Sequence, residues 1–152
     1  MSRIAIRTPS RLHFSLIDLN GGLGRIDGSA GLAIAQPEFR IIAQKANSVL
    51  INSNQYTVRA QEIVEKLKKK YNFPGISIEI LSEIPAHYGF GSGTQISLGI
   101  AQVINELYNL KQSVQALVLL WKIALNAKYF SLEVALLFQF VRFPQTVNKH
   151  AT

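Results

Sequence analysis

Apolar residues alternate with polar ones from the first residues of the chain. Ile4 and Ile6 sit between Arg3, Ala5 and Arg7, which predicts a strand over 3–7. After Thr8-Pro9-Ser10 the alternation resumes, with Leu12, Phe14 and Leu16 on one face and Arg11, His13 and Ser15 on the other. Asn20-Gly21-Gly22-Leu23-Gly24 marks a turn, and residues 31–35 and 38–44 read as further strands. Residues 48–52 and 55–58 read as two short strands, with Ser53-Asn54 as a hairpin tip. The period then changes. Ala60, Ile63, Val64, Leu67 and Tyr71 recur at helical spacing and Asn72-Phe73-Pro74-Gly75 stops them. Ile76, Ile78 and Ile80 return to strand alternation. Residues 85–95 form a glycine-rich loop, and Ile96, Ile100, Val103, Ile104 and Leu107 form a second helical stripe. Strands, helix, strand, glycine loop and helix in that order describe an α+β fold.

The pattern changes character near Leu110, where a boundary is placed between a domain at 1–110 and a divergent hydrophobic tail at 111–152. All ten glycines lie at or before Gly99, and Glu133 is the one acidic residue after Glu106. From Gln112 the chain reads as one or two apolar helices with a break near Asn126, then a polar end after Pro144. Lys122, Lys128 and Glu133 interrupt the apolar run, so no membrane span is expected. The first residues have no signal-peptide pattern. A soluble, cytoplasmic protein is expected.

Composition narrows the chemistry. With 48% hydrophobic and 16% charged residues the chain is globular in type, and at 152 residues it can bury a core. The absence of cysteine removes disulfides, thiolate metal sites and a cysteine nucleophile. A net charge of +7 suggests an anionic partner. The basic residues are scattered, however, except Lys66, Lys68, Lys69 and Lys70, which close a predicted helix where cations complement its dipole. That disfavours nucleic acid as the partner.

Two constellations carry candidate chemistry. The first is Pro85-Ala86-His87-Tyr88-Gly89-Phe90-Gly91-Ser92-Gly93-Thr94-Gln95, between a predicted strand and a predicted helix. Alternate glycines let a backbone approach a ligand closely, and free amides at a helix start bind phosphate. Ser92 and Thr94 add hydroxyls for phosphate oxygens or a magnesium shell. No lysine follows, so the segment is not a P-loop, and it lacks the third glycine of the dinucleotide fingerprint. A flexible turn with a helix cap is the plainer alternative. The second constellation is the polar set Arg11, His13, Asp18, Arg25 and Asp27 around the early turn. Arginines offer paired donors to phosphate or carboxylate, and carboxylates hold magnesium or stabilise a developing cation. An ordinary polar strand face with a charged turn would look the same.

These residues resemble a family. Residues 84–95 are similar to the phosphate-binding motif of the GHMP kinases, which commonly reads Gly-Leu-Gly-Ser-Ser-Ala. Here it reads Gly89-Phe90-Gly91-Ser92-Gly93-Thr94-Gln95, with the second serine and the alanine replaced. Together with Thr8-Pro9-Ser10-Arg11-Leu12-His13-Phe14 and Leu16-Ile17-Asp18-Leu19-Asn20-Gly21, it resembles the beta-ribofuranosylaminobenzene 5'-phosphate synthase branch, over its N-terminal half only.

The resemblance implies a GHMP-type N-terminal domain: a ribosomal-protein-type βαβ sandwich, mostly antiparallel, with helices on one side. It also implies a reaction in which phosphoribosyl pyrophosphate and 4-aminobenzoate form a carbon–carbon bond at the anomeric carbon, releasing carbon dioxide and pyrophosphate. In that reading Asp18 and Arg25 are catalytic, and Arg11, His13 and Asp27 bind substrate. Pro85, His87, Gly89, Gly91, Ser92, Gly93, Thr94 and Gln95 hold phosphate, with magnesium as cofactor. An ATP-dependent small-molecule kinase and a non-enzymatic RNA-binding domain are the alternatives. Family members are about twice this long, and where they carry another glycine-rich stretch this chain has residues 117–125 without glycine. A truncation or frameshift is therefore expected, with doubtful turnover, and apolar tail helices would favour a homo-oligomer.

Overall fold

The computed structural model describes residues 3–17, 28–113, 116–117 and 141–142. Strand β1 runs Arg3–Ile17 and β2 runs Gly28–Lys45, and the two pair antiparallel along their length. Short strand β3 (Leu50–Asn52) leads into helix α1 (Thr57–Tyr71), then β4 (Ile76–Ser82), helix α2 (Ser92–Leu107) and a two-residue strand β5 (Val141–Arg142). The sheet order is β3-β4-β2-β1-β5. All pairings are antiparallel except β3 with β4, which a crossover through α1 joins in parallel. The fold is α+β, as the residue pattern predicts.

Period-2 alternation gives the sheet one dry face. Ile6 and Thr8 on β1, Phe39, Ile41 and Ala43 on β2, and Ile76, Ile78 and Ile80 on β4 are buried. Ala5, Arg40, Gln44 and Leu81 face the other way and are exposed. Both helices lie on the dry side, α1 through Ala60, Ile63 and Val64 and α2 through Ile96, Ile100, Val103 and Ile104. Gly99 lets α2 approach closely: a Cβ there would lie 2.8 Å from Ile41 Cδ1 and 3.2 Å from Thr8 Cγ2.

Four details differ from the residue pattern. The strands predicted at 3–7 and 11–16 are one strand: Pro9 keeps a partner in Glu38, and the register shift before Ser10 skips residues 35–37 of β2 without ending the pairing. Likewise 31–35 and 38–44 form one strand through a cis Gln36-Pro37 bond. The hairpin predicted at 48–58 is absent. Leu50–Asn52 pairs with β4, and the turn after it starts α1, since the Glu83 carboxylate accepts from Ser53 Oγ (2.6 Å), Asn54 N (2.7 Å) and Gln55 N (3.1 Å). Finally, Val141–Arg142, expected in a helical stretch, pairs as a strand with Ile6 and Arg7. Most of the tail assigned to 111–152 lies outside the described residues, as does the turn at 20–24. No helix among the described residues is long and apolar enough to cross a membrane.

Candidate functional site: a glycine loop at the start of α2

Between β4 and α2 the chain crosses from the sheet to the helix in nine residues, and their backbone is unusual. His87 (φ 68°), Gly89 (φ 77°) and Gly91 (φ 69°) are all left-handed, alternating with Tyr88 and Phe90. Alternating hands turn successive N–H groups toward the same concavity. Glycine suits two of the three positions; His87 takes the third as an exposed non-glycine residue. Ala86 and Phe90 pack against the core and hold the loop to the body, while Tyr88 is exposed.

Gly91 caps α2, and no side chain caps it in turn. Its carbonyl accepts from Thr94 N and Gln95 N, both at 3.1 Å. The amides of Ser92 and Gly93 have no acceptor among the described residues, and a Cβ at Gly93 would meet nothing within 4 Å. The helix therefore starts with unpaired donors, open space and the positive end of its dipole, without an acidic side chain in its first turn.

Strand β1 delivers a cation to this point. Arg11 N donates to Phe90 O at 3.0 Å, fixing strand against loop. A Cβ at Gly91 would lie 3.6 Å from Arg11 Nε, so the guanidinium lies beside the helix start. Burial lowers the Arg11 pKa from its ordinary value, and its Nη1 has no hydrogen-bond partner among the described residues. Guanidinium stays charged regardless. The result is a half-buried positive charge next to unpaired amides.

Tyr56 ties down the other end of the loop. Its hydroxyl donates to Ile84 O at 2.6 Å, and its ring meets Phe39 edge-on, centroids 5.0 Å apart. Burial pushes the Tyr56 pKa up, a hydrogen bond with Ser92 pulls it down, and the Glu83 charge raises it. It therefore stays a phenol that links the exit of β4 to the start of α2. Sequence reasoning missed Tyr56 and Glu83; the one signal was an aromatic residue just ahead of the helical stripe.

The predicted residues thus fall into three groups. Pro85, His87, Gly89, Gly91, Ser92, Gly93, Thr94 and Gln95 are together, although Ser92 to Gln95 already belong to α2 and not to a longer loop. Arg11, from a strand eighty residues earlier in the chain, joins them. His13 lies two residues farther along β1, opposite Gly31. Asp18, Arg25 and Asp27 lie outside the described residues, in the connection that leaves β1 at Ile17 and enters β2 at its partner Gly28. Among the described residues no group of three or more His, Cys, Asp or Glu side chains could hold a metal ion.

Comparison with known proteins shows what the chain is similar to. Residues 56–130 match the GHMP kinases N terminal domain. The chain is 41% identical over 107 residues to the beta-ribofuranosylphenol 5'-phosphate synthase of Archaeoglobus fulgidus, covering 70% of this chain and 34% of that protein. It is 36% identical over 117 residues to the protein of the same name from Methanocaldococcus jannaschii, covering 68% and 36%. The chain thus spans about a third of the length of the curated relatives it matches. Among solved structures, Streptococcus pneumoniae phosphomevalonate kinase superposes with a TM-score of 0.69 at 16% identity, covering 91% of this chain and 47% of that one. Lactococcus lactis galactokinase gives 0.66 at 15%, covering 97% and 48%.

Proposed function

We propose that this chain, whose residues 56–130 match the GHMP kinases N terminal domain, forms the phosphate-holding half of a phosphoribosyl-transferring site. The reaction is a decarboxylating C-ribosyl transfer, in line with its similarity to beta-ribofuranosylphenol 5'-phosphate synthases. The observation that carries the reading is the amides of Ser92 and Gly93, without an acceptor among the described residues and set beside Arg11 at the start of α2.

The chemistry runs as follows. The C1–O bond of phosphoribosyl pyrophosphate breaks, the electron pair leaves with pyrophosphate, and C1 becomes oxocarbenium-like. The ring carbon of a para-substituted benzoate attacks C1, and the carboxyl carbon then departs as carbon dioxide, its bonding pair restoring aromaticity. The relatives' name contains a phenol where the motif resemblance implied an aminobenzene. Hydroxyl and amino groups both feed electrons to the attacking carbon, so 4-hydroxybenzoate and 4-aminobenzoate are both acceptors of the right class. Arg11 and the loop amides stabilise the leaving pyrophosphate. Asp18 is assigned to the cationic centre, Arg25 to a carboxylate or phosphate, and His13 and Asp27 to substrate binding.

Magnesium fits only as a shared ion. Ser92 and Thr94 hydroxyls are weak ligands alone but adequate beside phosphate oxygens, and bound there the ion would neutralise phosphate charge. We read the protein as cytoplasmic, where phosphorylated substrates are held.

Calorimetry with pyrophosphate and magnesium tests the binding claim. We expect heat from the wild type and none from Gly91→Val; silence from the wild type with every phosphate ligand removes the claim. Incubation with phosphoribosyl pyrophosphate and each benzoate, following carbon dioxide, tests the reaction. Turnover of ATP with a sugar or isoprenoid alcohol instead would make the chain a kinase fragment.

A further inference from the structure

Four buried polar atoms have no hydrogen-bond partner among the described residues: Thr8 Oγ1, Arg11 Nη1, Gln95 Oε1 and Gln102 Oε1, with Gln102 two turns farther from the glycine loop than Gln95. Their placement is ordered. Gly91, Gln95 and Gly99 recur every fourth residue and share one side of α2. Gly91 adjoins Arg11 and Gly99 adjoins Thr8, so this side lies on β1, with Gln95 between the two contacts. Helical side chains lean toward the N-terminus. Gln95, only 3% exposed, therefore lies on the β1 side of α2, one helical turn from Gly91 and the floor of the glycine loop.

An unpaired buried carbonyl oxygen destabilises a fold, and an apolar side chain of similar size would avoid that cost. Such an acceptor beside an anion cradle calls for a donor that arrives with the ligand. The ionised oxygens of phosphate and pyrophosphate are acceptors and cannot serve. A sugar hydroxyl can. Thr8 is two turns below the loop, about 12 Å along the helix, and too deep to take part.

We propose that Gln95 is a specificity-determining residue of this half-site. Its amide oxygen accepts a hydrogen bond from a hydroxyl of a pentose whose phosphate rests on the amides of Ser92 and Gly93. The inference rests on the phosphate-binding reading above, and it adds that the site selects phosphorylated polyols over bare anions.

The test is titration calorimetry on the full chain with three probes: pyrophosphate, ribose 5-phosphate and propyl phosphate, which carries no hydroxyl. Wild type should bind ribose 5-phosphate about tenfold more tightly than propyl phosphate. Gln95→Met should bind the two alike and unfold a few degrees higher, about 3 °C, because the orphaned acceptor is gone. Thr8→Val, the control, should leave all three affinities unchanged. Equal binding of ribose 5-phosphate and propyl phosphate to the wild type overturns the proposal without needing any variant. So does an equal loss of all three ligands in Gln95→Met, since Gln95 would then only shape the loop. If the wild type binds no phosphate at all, the phosphate-binding reading falls as well, which separates the two failures.

Discussion

Arg11 is the residue on which charge and position meet, because one strand residue supplies both a backbone donor to Phe90 O and a guanidinium beside Gly91. Removing a charged donor from a partly buried anion site costs about 1.5–3 kcal/mol. Arg11→Ala should therefore weaken pyrophosphate binding by about 10- to 100-fold in calorimetry, and Arg11→Lys should recover only part of it, since an ammonium lacks the planar fork. Glu38 poses a different problem on the far side of the sheet. Burial alone would raise its pKa, but hydrogen bonds from Arg7 Nε (2.6 Å) and Arg40 Nε (2.7 Å), with the charges of both, leave it below the ordinary value. A carboxyl that titrates lower when folded adds stability that is complete above the ordinary carboxylate pKa of about 4. That stability is lost as the pH falls through the folded value. Glu38→Gln should lower the melting temperature at pH 7 and narrow the gap to wild type as acid is added; a gap constant down to about pH 3 would contradict the assignment.

At the scale of elements, the loop works because both its ends are fixed. Tyr56 holds the exit of β4 through Ile84 O, and Arg11 N holds the loop through Phe90 O. Tyr56→Phe keeps the ring against Phe39 but removes the hydroxyl, so we expect a loss of about 1 kcal/mol by denaturant melting together with weaker pyrophosphate binding. Gly75, in the connection from α1 to β4, packs against the turn between β2 and β3: a Cβ there would sit 2.6 Å from the backbone of Ser48. Backbone cannot yield as a side-chain tip can, and Gly75→Ala should cost about 3 kcal/mol without altering ligand affinity in the folded fraction. The helical stripes and β4 were legible in the sequence, as was the glycine loop, since each rests on spacing within a few residues. The continuity of β1 through Pro9 was not. A register shift depends on the partner strand, and Pro9 by itself reads as an ending.

For the molecule as a whole, ligand binding should appear as stability. A ligand that binds only the folded form at a hundred times its dissociation constant adds about 2.7 kcal/mol, so saturating pyrophosphate should raise the melting temperature by several degrees. With a net charge of +7 the effect should shrink as salt is raised. No shift at low salt would leave the loop without an anionic ligand. Local order determined much of this protein. Alternation in residues 3–7 and 76–81, the stripes of α1 and α2 and the spacing of Gly89, Gly91 and Gly93 are written in adjacent residues, because strand and helix periods and turn conformations are short-range properties. Tertiary structure alone decided that Arg11 lies beside Gly91, that Glu83 organises the start of α1, and that Gln95 is buried with its oxygen unpaired among the described residues. Those facts depend on which strand pairs with which and on which side of α2 meets the sheet. Such long-range pairings are selected by burial of the core as a whole, and no window of sequence contains them.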